Sequence, residues 1–291
     1  MPRFEVFCPA APPALPVDVT LRVEAEHWLA ALKAGLQKVG GAQVTSNVLC
    51  DIQADGSIHV TDPRGGGVFR IAELRAEAAP VPAAARRAPS APAPAARPSA
   101  QPDRVVQLER PSAPPPARIG RAPAPSAEDV LARLFERVGD PSRHRDRKSG
   151  LGFLLDLAIE TVEADAGSVL LSRPDGALAF EVVRGPRAKQ LVALGETVPM
   201  GVGIVGFCAQ EDVCLAVSDA EKDPRFHRAI SEAIGYETRS LLCAPIARKG
   251  RVLGALEVLN KRGGVPFGAT DLAALAYLAH QAAAFLARLG G

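Results

Sequence analysis

The run from Ala76 to Pro125, AEAAPVPAAARRAPSAPAPAARPSAQPDRVVQLERPSAPPPARIGRAPAP, constrains this chain more than any other stretch. Prolines punctuate it throughout, and core-forming residues are few. Such a segment cannot bury enough apolar surface to offset the entropy lost on ordering, so a disordered, partly extended linker is expected. Folded structure must therefore come from residues 1–75 before it or from residue 126 onward. The linker's arginines offer contacts to an acidic partner, and the more apolar island Arg104–Arg110, RVVQLER, is a candidate docking motif.

A length of 291 residues suits one or two domains. Apolar residues make up 47%, enough for a core, and no apolar run is expected to span a bilayer. The start, MPRFEVFCPAAPP, lacks a basic region followed by an apolar one, so no signal peptide is expected. Five cysteines at irregular spacing argue against a disulfide framework and fit a reducing cytoplasm. A net charge of +2 is too near balance to point to nucleic acid. Neither a nucleic acid nor a membrane is expected as a partner.

Residues 1–75 read as a small α+β module. FEVF (Phe4–Phe7) and VDVTLRV (Val17–Val23) alternate as strands do. AEHWLAALKAGLQKVGG then has helical spacing, with Trp28, Leu29, Leu32, Leu36 and Val39 on one face and a stop at Gly40-Gly41. NVLCDIQ, SIHVTD and VFRIAEL, separated by ADG and RGGG, predict a meander of three strands. Trp28 is expected in the core and His27 in a structural or exposed position; the module carries no catalytic signature, and recognition of an unknown protein partner is its expected role.

Residues 126–144 predict a connecting helix. Ser126 with Asp129 resembles a capping box, and Leu131, Leu134, Phe135 and Val138 form an apolar stripe. Beyond the charged RHRDRKSG, helices appear between groups of strands, with a hairpin at each end. That order predicts an antiparallel sheet with helices on both faces rather than a parallel βαβ repeat.

From GVGIVGFCAQEDVCLAVSD, starting at Gly201, through LGALEVLNKRGGVPFGATD, ending at Asp271, the sequence resembles a GAF domain. It is especially similar to those of cyclic-nucleotide phosphodiesterases and bacterial adenylyl cyclases, and the resemblance covers about residues 145–289. The family's signature is Asn-Lys, a variable gap, Phe, three residues, then Asp-Glu. Asn260, Lys261, Phe267 and Asp271 fit it, whereas Leu272 stands where the glutamate would be. The resemblance implies a PAS-like sheet with helices and a buried small-molecule pocket, for which a cyclic nucleotide is the candidate ligand. It also implies that Gly203 and Ile204, within GVGIVGF, line that pocket, and that Ser168 occupies a position able to make a polar contact to ligand.

The residues themselves supply a second reading of the corner. With Gly268 as N-cap, Phe267 and Leu272 form a hydrophobic staple, and Asp271 sits where the helix dipole favours an anion. Lys261, leaving the strand, can then pair with Asp271 as a latch between strand and helix. DPRF (Asp223–Phe226) predicts a helix start, with Asp223 as N-cap and Pro224 at N1. Its free amides could meet a phosphate or carboxylate, with Arg225 supplying charge; an ordinary cap with Phe226 in the core is the alternative. GVGIVGF lacks the lysine of a P-loop and opens no βαβ unit, so its glycines predict a close-packed helix start.

Cys208, Cys214 and Cys243 raise the possibility of redox chemistry, because one branch of the GAF family reduces free methionine sulfoxide with cysteines; packing roles are the alternative. Their spacing does not suit zinc, and the chain shows no linked nucleophile and base, so an enzyme is not expected. The last helix is apolar most of the way round and should be covered on more than one side. Residues 126–138 supply one cover and a second copy another, which predicts a homodimer through terminal helices. The expected function is non-catalytic signalling, with the GAF domain binding a small ligand, mediating dimerisation and partner regulation, or both. A ligand-free scaffold whose pocket is filled by its own side chains, and a cysteine-dependent methionine sulfoxide reductase, are the alternatives.

Overall fold

The computed structural model describes residues 1–12, 15–40, 47–62, 66–74, 126–139, 144 and 146–289. The expected linker, with its Arg104–Arg110 island, lies outside the described residues.

The N-terminal module begins with β1 (Arg3–Cys8) and β2 (Val19–Glu24), an antiparallel pair. Helix α1 (Trp28–Lys38) follows, with Trp28, Leu29, Leu32 and Leu36 buried. His27 is its N-cap, accepting from the Ala30 amide at 3.2 Å, and Gly40 turns the chain out at φ 67. The meander is β3 (Asn47–Ile52), β4 (Ile58–Thr61) and β5 (Val68–Glu73), and β5 returns to pair with β1.

The C-terminal half runs α2 (Ala127–Val138), α3 (Arg147–Thr161), β6 (Ala164–Ser172), β7 (Ala177–Arg184), α4 (Ala188–Leu194), β8 (Thr197–Pro199), α5 (Gly203–Glu211), β9 (Cys214–Val217), α6 (Arg228–Ile234), β10 (Leu241–Arg248), β11 (Arg251–Lys261) and α7 (Ala269–Leu289). The capping box of α2 is formed, with Ser126 Oγ accepting from the Asp129 amide at 3.1 Å and Asp129 accepting in return. Its apolar stripe is only partly used: Leu134 and Val138 are buried, but Phe135 is 71% exposed.

All strand pairs among β6 to β11 are antiparallel, in the order β9-β10-β11-β6-β7-β8. One sheet face is covered by α2, α3 and α7, with Leu155, Leu242, Leu256, Leu275 and Phe285 among the core. On the other face Leu170, Ile204, Phe207, Leu215 and Cys243 share a core with Leu29 and Leu32 of α1. That shared core marks a connection the sequence does not announce. Strand β3 lies parallel to β9, Asn47 opposite Cys214 through Cys50 opposite Val217, and one 11-stranded sheet spans both halves. Strand β3 suits this place because Val48 and Cys50 are buried toward α1 while Leu49 packs on the α7 side.

Two expectations need correction. The helix predicted from Pro224 begins at Arg228 instead. Asp223 accepts from the Arg225 amide at 2.9 Å, closing a local Asx turn that competes with helix initiation. Helix α7, with 21 residues, is also long and apolar enough by composition to cross a membrane, contrary to the expectation that no segment would be. In this fold Leu272, Leu275, Leu278, Ala282 and Phe285 are instead buried against the sheet and neighbouring helices.

Candidate functional site

A cavity of about 90 Å³ lies over the sheet face opposite α7. Its floor is Leu241, Glu257 and Leu259; its walls are Leu191 of α4, Gly203, Ile204 and Val205 of α5, Phe226, and Ile230 and Ile234 of α6. An adjoining space of about 40 Å³ shares Leu191, Ile234, Tyr236, Glu257 and Leu259 and adds Ser168, Arg184 and Arg187. A larger groove of about 670 Å³, edged by Arg147, Arg248, Lys249 and Arg251, is a separate feature that includes none of these residues.

Glu257 is the carboxylate common to both spaces. It is buried on β11 directly opposite Ser168 of β6, and Ser168 Oγ donates to Glu257 Oε1 at 2.7 Å. Burial pushes its carboxyl above the ordinary value, against the opposing influence of the Ser168 hydrogen bond. The group can accept when ionised or donate when neutral, within an otherwise largely apolar chamber. The sequence reading missed Glu257. Its available signal was a lone acid within the apolar strand LGALEVL, where both strand faces must be covered.

The glycine-rich segment has the predicted steric role. A Cβ at Gly206 would stand 2.5 Å from the Pro199 carbonyl oxygen, so α5 can pack this closely on the end of β8 only without one. Gly203 and Ile204 lie at the start of α5 on the cavity wall.

The signature residues support the site without lining it. Asn260, at φ 56, accepts from the Arg239 amide at 2.7 Å and the Ser240 amide at 3.2 Å. It donates to the Glu237 carbonyl at 2.7 Å and to Tyr236 Oη at 3.1 Å, and Tyr236 is itself a cavity wall. Lys261 pairs with Asp271 Oδ2, which also accepts from the Gly268 amide at 2.8 Å. Phe267 and Leu272 are buried in the same cluster, on the α7 side. The missing glutamate position is therefore filled by a core residue.

Arg225 does not line the cavity. Its guanidinium pairs with Asp223 and lies 4.7 Å from the Phe207 ring centre and 5.2 Å from that of Trp28. The chain direction at the Asp223 turn sends Phe226 to the cavity and Arg225 to the junction with α1. In place of the ligand-facing charge expected of it, Arg225 makes contacts with two aromatic rings.

The cysteines are all buried. Burial raises the Cys208 and Cys243 thiols and pushes Cys214 up to about 12. All three are thiols rather than nucleophilic thiolates near neutrality. Among the described residues, no group of three or more His, Cys, Asp or Glu side chains is arranged to hold a metal ion.

An antiparallel sheet with a small cavity beneath short helices defines the α+β class of this domain. More particularly, residues 152–286 form a GAF domain. A cGMP-specific 3',5'-cyclic phosphodiesterase of Drosophila ananassae is 33% identical over 112 residues, covering 35% of this chain and 10% of that protein. The dual 3',5'-cyclic-AMP and -GMP phosphodiesterase 11A of Takifugu rubripes is 33% identical over 136 residues, covering 44% and 15% respectively. The chain therefore spans only a small part of these relatives' length. The GAF domain of a phosphoenolpyruvate-protein phosphotransferase from Coxiella burnetii shares the fold, with a TM-score of 0.51 at 21% identity over 57% of this chain and 97% of that one.

Proposed function

We propose that this chain is a non-catalytic signalling protein whose GAF domain holds a small ligand against Glu257. The observation that carries this reading is the buried carboxyl shared by two adjoining spaces and positioned by Ser168. Burying an acid is costly unless it has a partner, and a ligand with a hydrogen-bond donor or a positive charge would supply one. The two phosphodiesterase relatives support a cyclic nucleotide as the first ligand to try.

The cavity's size favours the ligand-free scaffold as a second reading. At about 90 Å³ it lies well below the roughly 300 Å³ at which pockets for drug-sized ligands begin. A nucleotide must therefore move α4, α5 or α6 to enter, whereas a ligand of a few atoms need not. The raised thiols weigh against sulfoxide reduction. Dimerisation through terminal helices is part of the same proposal, and exposed Phe135 on α2 supports it.

Native mass spectrometry of freshly purified protein, followed by calorimetric titration with cyclic AMP and cyclic GMP, tests the reading. Retained small-molecule mass, or heat that Glu257→Leu abolishes, supports sensing. No retained mass, no heat and no thermal shift would leave the scaffold.

A further inference from the structure

Two elements wall the cavity at one end and hold residues 1–74 at the other. Helix α5 contributes Ile204 to the cavity and, farther along, Phe207 to the N-terminal module. The Phe207 ring stacks on Trp28 with centres 6.0 Å apart and meets His27 edge-on at 5.1 Å. At the end of the same helix, Glu211 pairs with His27 at 3.2 Å and Lys33 at 3.1 Å. The second element is the Asp223 turn, with Phe226 on the cavity and the adjacent Arg225 against both the Trp28 and Phe207 rings. A wall displacement large enough to admit a nucleotide must reach this seam, because close-packed interiors transmit strain.

The seam itself is incompletely satisfied. Among the described residues, Trp28 Nε1 and Arg225 Nη1 are both buried without a hydrogen-bond partner. Buried donors without acceptors favour a conformation in which water reaches them. Opening the seam would let water reach both donors.

We propose that residues 1–74 are a reversible cover on the GAF domain, and that filling the cavity releases them. Displacement of α5 and the Asp223 turn disengages Phe207 and Arg225 from Trp28. Release frees the β9 edge and the facing β3 edge, each suited to a partner that adds a strand. By linkage, a partner that holds the cover open also favours a filled cavity. The inference goes beyond ligand sensing, because the filler can be a side chain.

Trp28, the chain's only tryptophan, reports on the seam directly. Leu191→Phe places extra bulk in the cavity; Val192→Phe makes a similar change at a neighbouring position that is 64% exposed. In the full chain, Leu191→Phe should red-shift Trp28 emission and speed hydrogen exchange at residues 47–52 by roughly tenfold. Val192→Phe should leave both as in the wild type, with β10 and β11 protected throughout. Unchanged emission and unchanged exchange in a folded Leu191→Phe protein overturn the proposal. If that variant loses β10 and β11 protection, Ile230→Phe fills the same space from α6 and decides by the same two readouts. Failure to bind nucleotides would remove the sensing reading without altering this comparison.

Discussion

Ser168 and Glu257 face each other across the β6–β11 ladder, with hydroxyl and carboxyl 2.7 Å apart at the floor of the cavity. The pair sets a pH dependence. Burial raises the folded-state pKa of Glu257 above its ordinary value of 4.5. The folded protein then holds a proton that the unfolded chain releases, so stability falls as pH rises between those two values. The contribution is fully present below the unfolded pKa and lost above the folded one. Glu257→Gln should flatten this segment of the stability curve and raise Tm at pH 7. Thermal melts across about pH 4–8, from just below the ordinary carboxylate value upward, check it. A wild-type curve rising through that window, with the rise absent in Glu257→Gln, would refute the assignment.

The Lys261–Asp271 latch should be costly to break from either side. The side chains are 16% and 12% exposed, so loss of one partner leaves a charge poorly hydrated. Lys261→Met should cost about 3 kcal/mol, the lower end for a buried pair. Asp271→Ala should cost more, because the Gly268 amide also loses its acceptor. The double variant should recover part of the sum. Urea unfolding of all three gives the coupling directly, and strict additivity would show that the latch contributes nothing as a pair.

The crossing of α3 and α7 reverses a usual helix rule. Replacing glycine by alanine inside a helix ordinarily stabilises by about 1 kcal/mol. At Gly150 an added Cβ would lie 2.1 Å from the Phe285 ring, and Phe285 is fully buried. Gly150→Ala should therefore destabilise by about 1–3 kcal/mol through overpacking. Phe285→Leu in the same chain should relieve some of that cost. Chemical denaturation decides the sign.

These features differ in how far the sequence exposes them. The Lys261–Asp271 corner is local: ten positions separate the partners, and Gly268, Asp271, Phe267 and Leu272 each obey a helix-entry rule that can be read residue by residue. The β3–β9 junction is not local, since Cys50 and Val217 meet only after two distant segments fold. Nothing in NVLCDI specifies its second neighbour; its apolar residues only require that both faces be covered. Glu257 was obscured because the alternation of LGALEVL places it on a core face without naming the hydroxyl opposite. Arg225 lies off the cavity for a local reason: the Asp223 side chain closes its turn before a helix can start. Phe135 matched a helical stripe in spacing, but the width of the buried face, which tertiary packing sets, stopped short of it.

Phe135 gives the proposed dimer a specific test. It is 71% exposed on α2, where Leu134 and Val138 are already buried within the chain. Phe135→Asp therefore removes no internal packing and should leave the unfolding midpoint within about 0.5 kcal/mol of wild type. If α2 joins two copies, the substitution places a carboxylate against an apolar surface in both protomers, where desolvation opposes association. Native mass spectrometry should then show a wild-type dimer and a Phe135→Asp monomer at the same concentration. A dimer that persists in the variant moves the interface away from this face. A monomeric wild type removes dimerisation from the mechanism, while the cavity and the seam retain their separate tests.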